Sequence, residues 1–166
     1  MKKRTRFKMG HAMLLAAVCL LIFSMSVFAD VTKEEARKTA RKKVPSSYKL
    51  NEEKYEAEDQ EWEFEFYSKD KKTEYEVHID VHTGKVKKKD MEKRFEKGGR
   101  CVRISSKCAK KVVRKKFKGC KIKSVKKKKE DGRYFYKVKF RWKGHSGEAK
   151  VSTGTGRLIG WTINYS

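Results

Sequence analysis

The chain has 166 residues, with 45 Lys and Arg against 21 Asp and Glu, and a formal net charge of +24. That length allows one domain or two very small ones, and a charge so far from zero speaks about partners rather than fold. No nucleophile stands with a base and an orienting acid, and no G-x-x-x-x-G-K-[ST] phosphate loop occurs, so the residues point to no enzyme and no cofactor.

The N-terminal segment reads as an export signal. Lys2, Lys3, Arg4, Arg6 and Lys8 form a positive start, Ala12 to Phe23 an apolar run, and Val27 and Ala29 occupy the small-residue positions before a cleavage point. Even counted on to Phe28, the run is shorter than the roughly 20 apolar residues that span a bilayer. Val18 is larger than the residue expected before a lipidated Cys19. A mature chain beginning at Asp30, secreted or held at the cell envelope, is the expectation.

From Asp30 a helix is predicted, with Thr32 as its N-cap and Glu35 completing a capping box. Ala36, Ala40 and Val44 recur at helical spacing, and Pro45 stops the run. Strand periodicity follows: Trp62, Phe64 and Phe66 alternate with Glu61, Glu63 and Glu65, after a turn at Glu58-Asp59-Gln60. Tyr75, Val77, Ile79 and Val81 form a second alternation, and Gly84-Lys85-Val86 a turn and a last short strand.

The same order then recurs. Ile104-Ser105 opens a second helix with Ala109, Val112, Val113 and Phe117 on one face and Gly119 as a left-handed stop. Tyr134, Tyr136, Val138, Phe140 and Trp142 alternate after the turn Glu130-Asp131-Gly132, and Gly147-Ala149-Val151 and Gly156-Arg157-Leu158 complete the set. A shift of about 73 residues superposes the helices and about 72 the strands. The expected fold class is therefore α+β: two tandem modules, residues 30–97 and 98–166, each one helix packed on a three- to four-stranded antiparallel sheet. Trp62 and Trp142 are expected on the apolar faces. Cores so thin favour docking between the modules.

These residues resemble the PepSY family, whose modules have a T/S-x-x-E-A helix start and strands ending in Y-x-V-x-(I/V)-D-x-x-T-G-x-(V/L). The first module supplies Thr32, Glu35 and Ala36, then Tyr75-Glu76-Val77-His78-Ile79-Asp80-Val81-His82-Thr83-Gly84-Lys85-Val86. The second departs from the pattern at Cys108, Gly147 and Ser152 but keeps Thr155-Gly156. The resemblance implies an exported protein without catalytic residues, and a role in restraining an extracellular peptidase on another chain.

The remaining candidates are weighed on chemistry. His78 and His82 share a face of one predicted strand, but four residues span about 13 Å, too far for one metal ion, so both are expected as exposed histidines. Asp80 is expected to cap the turn at Thr83-Gly84. Cys101, Cys108 and Cys120 match no zinc spacing, and one disulfide plus one buried thiol is expected.

Charge is the informative feature. Residues 30–97 hold 18 basic and 18 acidic side chains, whereas 98–166 hold 22 basic and 3 acidic, a net of +19. Glu61 in the first module is replaced by Arg133 in the second, and Glu65 by Lys137. Lys110, Lys111, Arg114 and Lys115 on the second helix, with Lys126, Lys127, Lys128, Lys129, Arg133, Lys137, Lys139 and Arg141 on the strands, form the candidate polyanion-binding set. Lysine outnumbers arginine 16 to 6 there, which suits loose contact with many phosphates better than bidentate recognition. Export makes an anionic envelope polymer or lipid headgroups better partners than nucleic acid.

Overall fold

The computed structural model describes residues 30–165. The export signal and its cleavage point lie outside the described residues.

Two helices and eight strands follow in the order α1 (Lys33–Arg41), β1 (Lys49–Glu56), β2 (Glu61–Ser68), β3 (Thr73–Asp80), β4 (Val86–Lys93), α2 (Ser106–Lys116), β5 (Lys121–Glu130), β6 (Arg133–Trp142), β7 (His145–Ser152) and β8 (Leu158–Asn164). The strands form one antiparallel sheet in the order β1-β2-β3-β4-β8-β7-β6-β5. The fold is α+β. The two halves meet where β4 pairs with β8, so each extends the other's sheet.

Each helix starts where its cap chemistry places it. Thr32 and Glu35 form the capping box of α1, and Glu34 and Glu35 in the first turn, with Lys38 and Arg41 in the last, complement the helix dipole. In α2 the Ser105 hydroxyl accepts from the Cys108 N–H at 3.3 Å, with no acid in the first turn. Helix α1 ends at Arg41, earlier than Pro45 requires. The Arg41 guanidinium then donates to the Ser46 and Tyr48 carbonyls, at 2.5 and 2.7 Å, and holds the following loop in place.

Both helices lie on one face of the sheet. Ala36 and Ala40 of α1 and Ala109 and Val113 of α2 are buried against Phe64, Phe66, Val77, Val138, Phe140, Ala149, Trp161 and Ile163, in one continuous core. Full burial of each large side chain is worth about 1.5–3 kcal/mol, and the shared core gives each small half a larger interior than its own residues supply. Trp62 and Trp142 do face the helices but are only half-buried, near the outer strands; Trp161 is the buried tryptophan.

The last strands are longer than expected. β4 and β8 have eight and seven residues, because the lysine-rich Val86–Lys93 pairs on both sides despite lacking an apolar alternation. β1 lies at one edge and is mostly exposed, which explains its weak pattern. Both halves carry irregularities at matching places, between Leu50 and Glu52 and between Ile122 and Ser124, then between His78 and Ile79 and between Lys150 and Val151. Asp131-Gly132 and Lys143-Gly144 each put two consecutive residues at positive φ, the hairpin geometry that matches strand twist.

Candidate functional site

Alternation along each strand sends every second side chain to the face away from the helices. Register then aligns these side chains in rows across the sheet. One row runs Lys126, Lys137, Lys150, Gly160, Glu92, Glu74; the next runs Ser124, Lys139, Glu148, Thr162, Asp90, Glu76, Glu65. The open face is therefore basic on β5 to β7 and acidic on β2 to β4. Small residues of β8 lie between, flooring a shallow groove lined by Glu74, Asp90, Lys150, Gly160 and Thr162.

The predicted basic set divides between the two sides of the sheet. Lys126, Lys128, Arg133, Lys137, Lys139 and Arg141 share the open face, joined by Lys150, which sequence reasoning missed. Lys127 and Lys129 stand opposite Tyr136 and Tyr134 on the helix side, together with Lys110, Lys111, Arg114 and Lys115 of α2. The four consecutive lysines thus cannot act as one cluster. Lys150 was hidden because its strand has few apolar residues and because cross-strand register is invisible in a sequence.

The two halves of the open face differ in how far they neutralise themselves. On the acidic side Arg94 bonds Glu74 at 2.5 Å and Glu65 at 3.1 Å, Lys87 pairs with Glu61 at 3.0 Å, and Lys88 with Asp90 at 2.8 Å. On the basic side Lys137 pairs with Glu148 at 2.6 Å, and Lys150 lies 3.9 Å from Glu92. Of the twelve candidate residues, only Lys137 is in an ion pair among the described residues. Lys126 faces Lys137 directly, and Lys137 faces Lys150, placing like charges at the closest cross-strand separation.

His78 corrects the expectation of an exposed histidine. It is buried, with Nδ1 2.6 Å from Glu61 and Nε2 2.5 Å from Glu76, and the flanking acids and Lys88 cover the ring. Burial lowers its pKa, but hydrogen bonds to Glu76 and Glu61 outweigh that effect, so the net is above the ordinary histidine value. Glu63, Glu76 and His78 present their ligand atoms within 4.8 Å of one another, an arrangement that could hold a cation. The Lys88 ammonium, 3.3 Å from both Glu76 and His78 Nε2, already supplies one. The spacing of Glu76 and His78, two apart and so on one face of the strand, was the available signal. His82 is exposed as expected, in the turn after β3, between Asp30 and Gln60.

Asp80 caps the β3–β4 turn, accepting from the Thr83 N–H at 2.8 Å and its hydroxyl at 2.7 Å. These bonds hold its carboxyl below the usual range. Ser152 occupies the corresponding place, accepting from Thr155 N–H at 3.4 Å. In place of the expected disulfide, all three described cysteines are unpaired; Cys120 is the buried thiol, and Cys101 and Cys108 are exposed.

The helix cap, the strand pattern and the Asp80 turn all fall within the stretch matched by the family model described as the peptidase propeptide and YPEB domain, residues 30–90. This stretch is a PepSY domain. The match ends inside β4, so the PepSY domain covers α1 and the first three strands entirely, together with most of the acidic part of the open face. No curated protein matches the chain. Among solved structures, the chain is similar to a lipoprotein candidate from Clostridium difficile 630, at 18% identity and TM-score 0.33, covering 81% of this chain and 93% of that one. It is also similar to the YpeB C-terminal domain of Bacillus megaterium, at 13% identity and TM-score 0.32, covering 82% and 66%. A BLIP-like protein of Bacteroides fragilis NCTC 9343 matches at 12% identity and TM-score 0.32, covering 78% and 84%. Among the described residues no helix is long and apolar enough to cross a membrane.

Proposed function

We propose that the protein is an exported, non-catalytic binding protein made of two PepSY-like modules, whose second module attaches to an anionic cell-envelope polymer or to anionic lipid headgroups. The tandem reading is supported by the recurring helix-plus-four-strand order and by the matching strand irregularities in the two halves. The observation that carries the binding reading is the in-register row Lys126, Lys137, Lys150 on a solvent-facing sheet. Its ammonium groups repel one another, and only Lys137 and Lys150 have a carboxylate beside them, Glu148 at 2.6 Å and Glu92 at 3.9 Å. Bound phosphates would relieve that repulsion and release counterions.

The test uses the intact protein, because the two halves share one sheet and one core. Retention on vesicles containing anionic lipid, and on a phosphate polymer, is measured at two salt concentrations. Affinity should fall steeply with salt, and Lys126→Glu with Lys137→Glu should weaken retention on both supports. Retention that ignores salt or these reversals would defeat the reading.

A second reading is favoured by the family match on residues 30–90: regulation of an extracellular peptidase by the first module. Inhibition of a host metallopeptidase, insensitive to the lysine reversals, would distinguish it.

A further inference from the structure

On the helix side, the ends of both helices converge over the junction of β4 and β8. A cleft of about 350 Å3 opens there, walled by Tyr75, Phe117, Trp142, Trp161 and Tyr165. Phe117 packs edge-on to both Trp142 and Trp161, with ring centres 5.5 Å apart in each pair. This site lies on the opposite side of the sheet from the lysine row and is independent of the binding reading above.

Three ammonium groups surround these rings. Lys89, half-buried on β4, points to the helix side, 4.9 Å from the Tyr75 ring centre and 5.5 Å from that of Trp161, and donates to the Lys43 carbonyl. Lys43 and Lys116 stand at the cleft mouth, and no carboxylate lines it. Among the described residues none of the three lysines is in an ion pair. Burial, then Lys116, then Lys43, pull the Lys89 pKa down to about 8, so it is still charged at neutral pH but poorly compensated. The two helix C-termini oppose this with about half a negative charge each, against three full positive charges. The cleft is net electropositive.

Trp161, in the cleft wall, is more than nine-tenths buried, so its indole resonance reports on what the cleft holds.

We propose that this cleft binds a carboxylate carried on an aromatic or apolar body. The carboxylate accepts from the Lys89 ammonium, while the body lies against Phe117 and Trp142. Lys43 and Lys116 supply the remaining attraction at the mouth.

The experiment titrates the intact, isotope-labelled protein with N-acetyl-phenylalanine, using its uncharged amide as control, and follows the Trp161 indole N–H, assigned with Trp161→Phe. The acid should shift this resonance saturably and the amide should not. Lys89→Met should weaken the acid roughly tenfold, as expected for one charge-assisted contact. If Lys89→Met loses its folded spectrum, Lys116→Gln, at the exposed end of α2, replaces it and should weaken binding as well. Lys107→Gln, at the opposite end of α2 from Lys116, should leave the affinity unchanged. No saturable shift with the acid, or equal shifts with acid and amide, overturns the proposal.

Discussion

His78 Nδ1 lies 2.6 Å from Glu61 Oε1, joining β2 to β3 by a buried ion pair on the sheet face away from the helices. Glu76 holds the other ring nitrogen. The folded pKa of His78 is raised above its unfolded value, so the stability it contributes is complete below about pH 6.5, the ordinary histidine value. That contribution fades as pH rises through the folded pKa. Glu76 is shifted the other way, chiefly by its hydrogen bond to His78, and its share is lost as pH falls below the carboxylate range. Denaturant unfolding of wild type and His78→Gln across mildly acidic to alkaline pH checks this. The gap between them should narrow as pH rises; a constant gap would contradict the assignment.

Phe64 is fully buried between α1 and the sheet. Phe64→Ala should cost about 3–5 kcal/mol, against a total stability of about 5–15 kcal/mol for a protein of this kind. Trp62→Ala should cost less, because that ring is half-exposed near the edge strand and packs on Tyr55. Chemical denaturation ranks the two directly.

Gly147 stands where the first half has Tyr75, and the reason is steric. A Cβ there would come within 2.6 Å of Phe140 and 2.8 Å of Ile163. Gly147→Ala should therefore destabilise by about 1–3 kcal/mol, although alanine is ordinarily the better strand residue. A neutral or stabilising result in a thermal melt would show that Phe140 can move aside.

Lys126→Glu replaces a like-charge neighbour of Lys137 by an opposite one. Stability should rise at low salt by about 0.3–1 kcal/mol and the gain should vanish at high salt. Melting curves at two ionic strengths measure it, and a gain independent of salt would point to a cause other than charge.

The thiols should react unequally. Cys108 is exposed, and its hydrogen bonds with Ser105, then the nearby Lys111 and Lys107, lower its pKa; burial raises that of Cys120. A thiol reagent should label Cys108 rapidly and Cys120 only on unfolding. Fast labelling of Cys120 in the native protein would contradict its burial.

The sequence by itself carried the helix starts, the apolar strand faces and the capped turn. Thr32 with Glu35 announced a helix start, Trp62-Phe64-Phe66 against the intervening glutamates announced a strand with one apolar face, and Asp80 with Thr83-Gly84 announced a capped turn. Each depends on neighbours a few residues apart, within reach of periodicity and capping. The charge difference between the halves was legible in the same way. What tertiary structure decided was which strand lies beside which. Pairing of β4 with β8 merged the halves into one sheet, brought Lys150 beside Lys137, split Lys126 and Lys128 from Lys127 and Lys129, and placed Lys89 among Tyr75, Trp161 and the helix ends. It also buried His78, whose covering acids and lysine come from three strands. Register is set by the packing of the whole apolar face, and a one-residue slip would exchange the two faces of a strand, so these neighbours exist only once the core has formed.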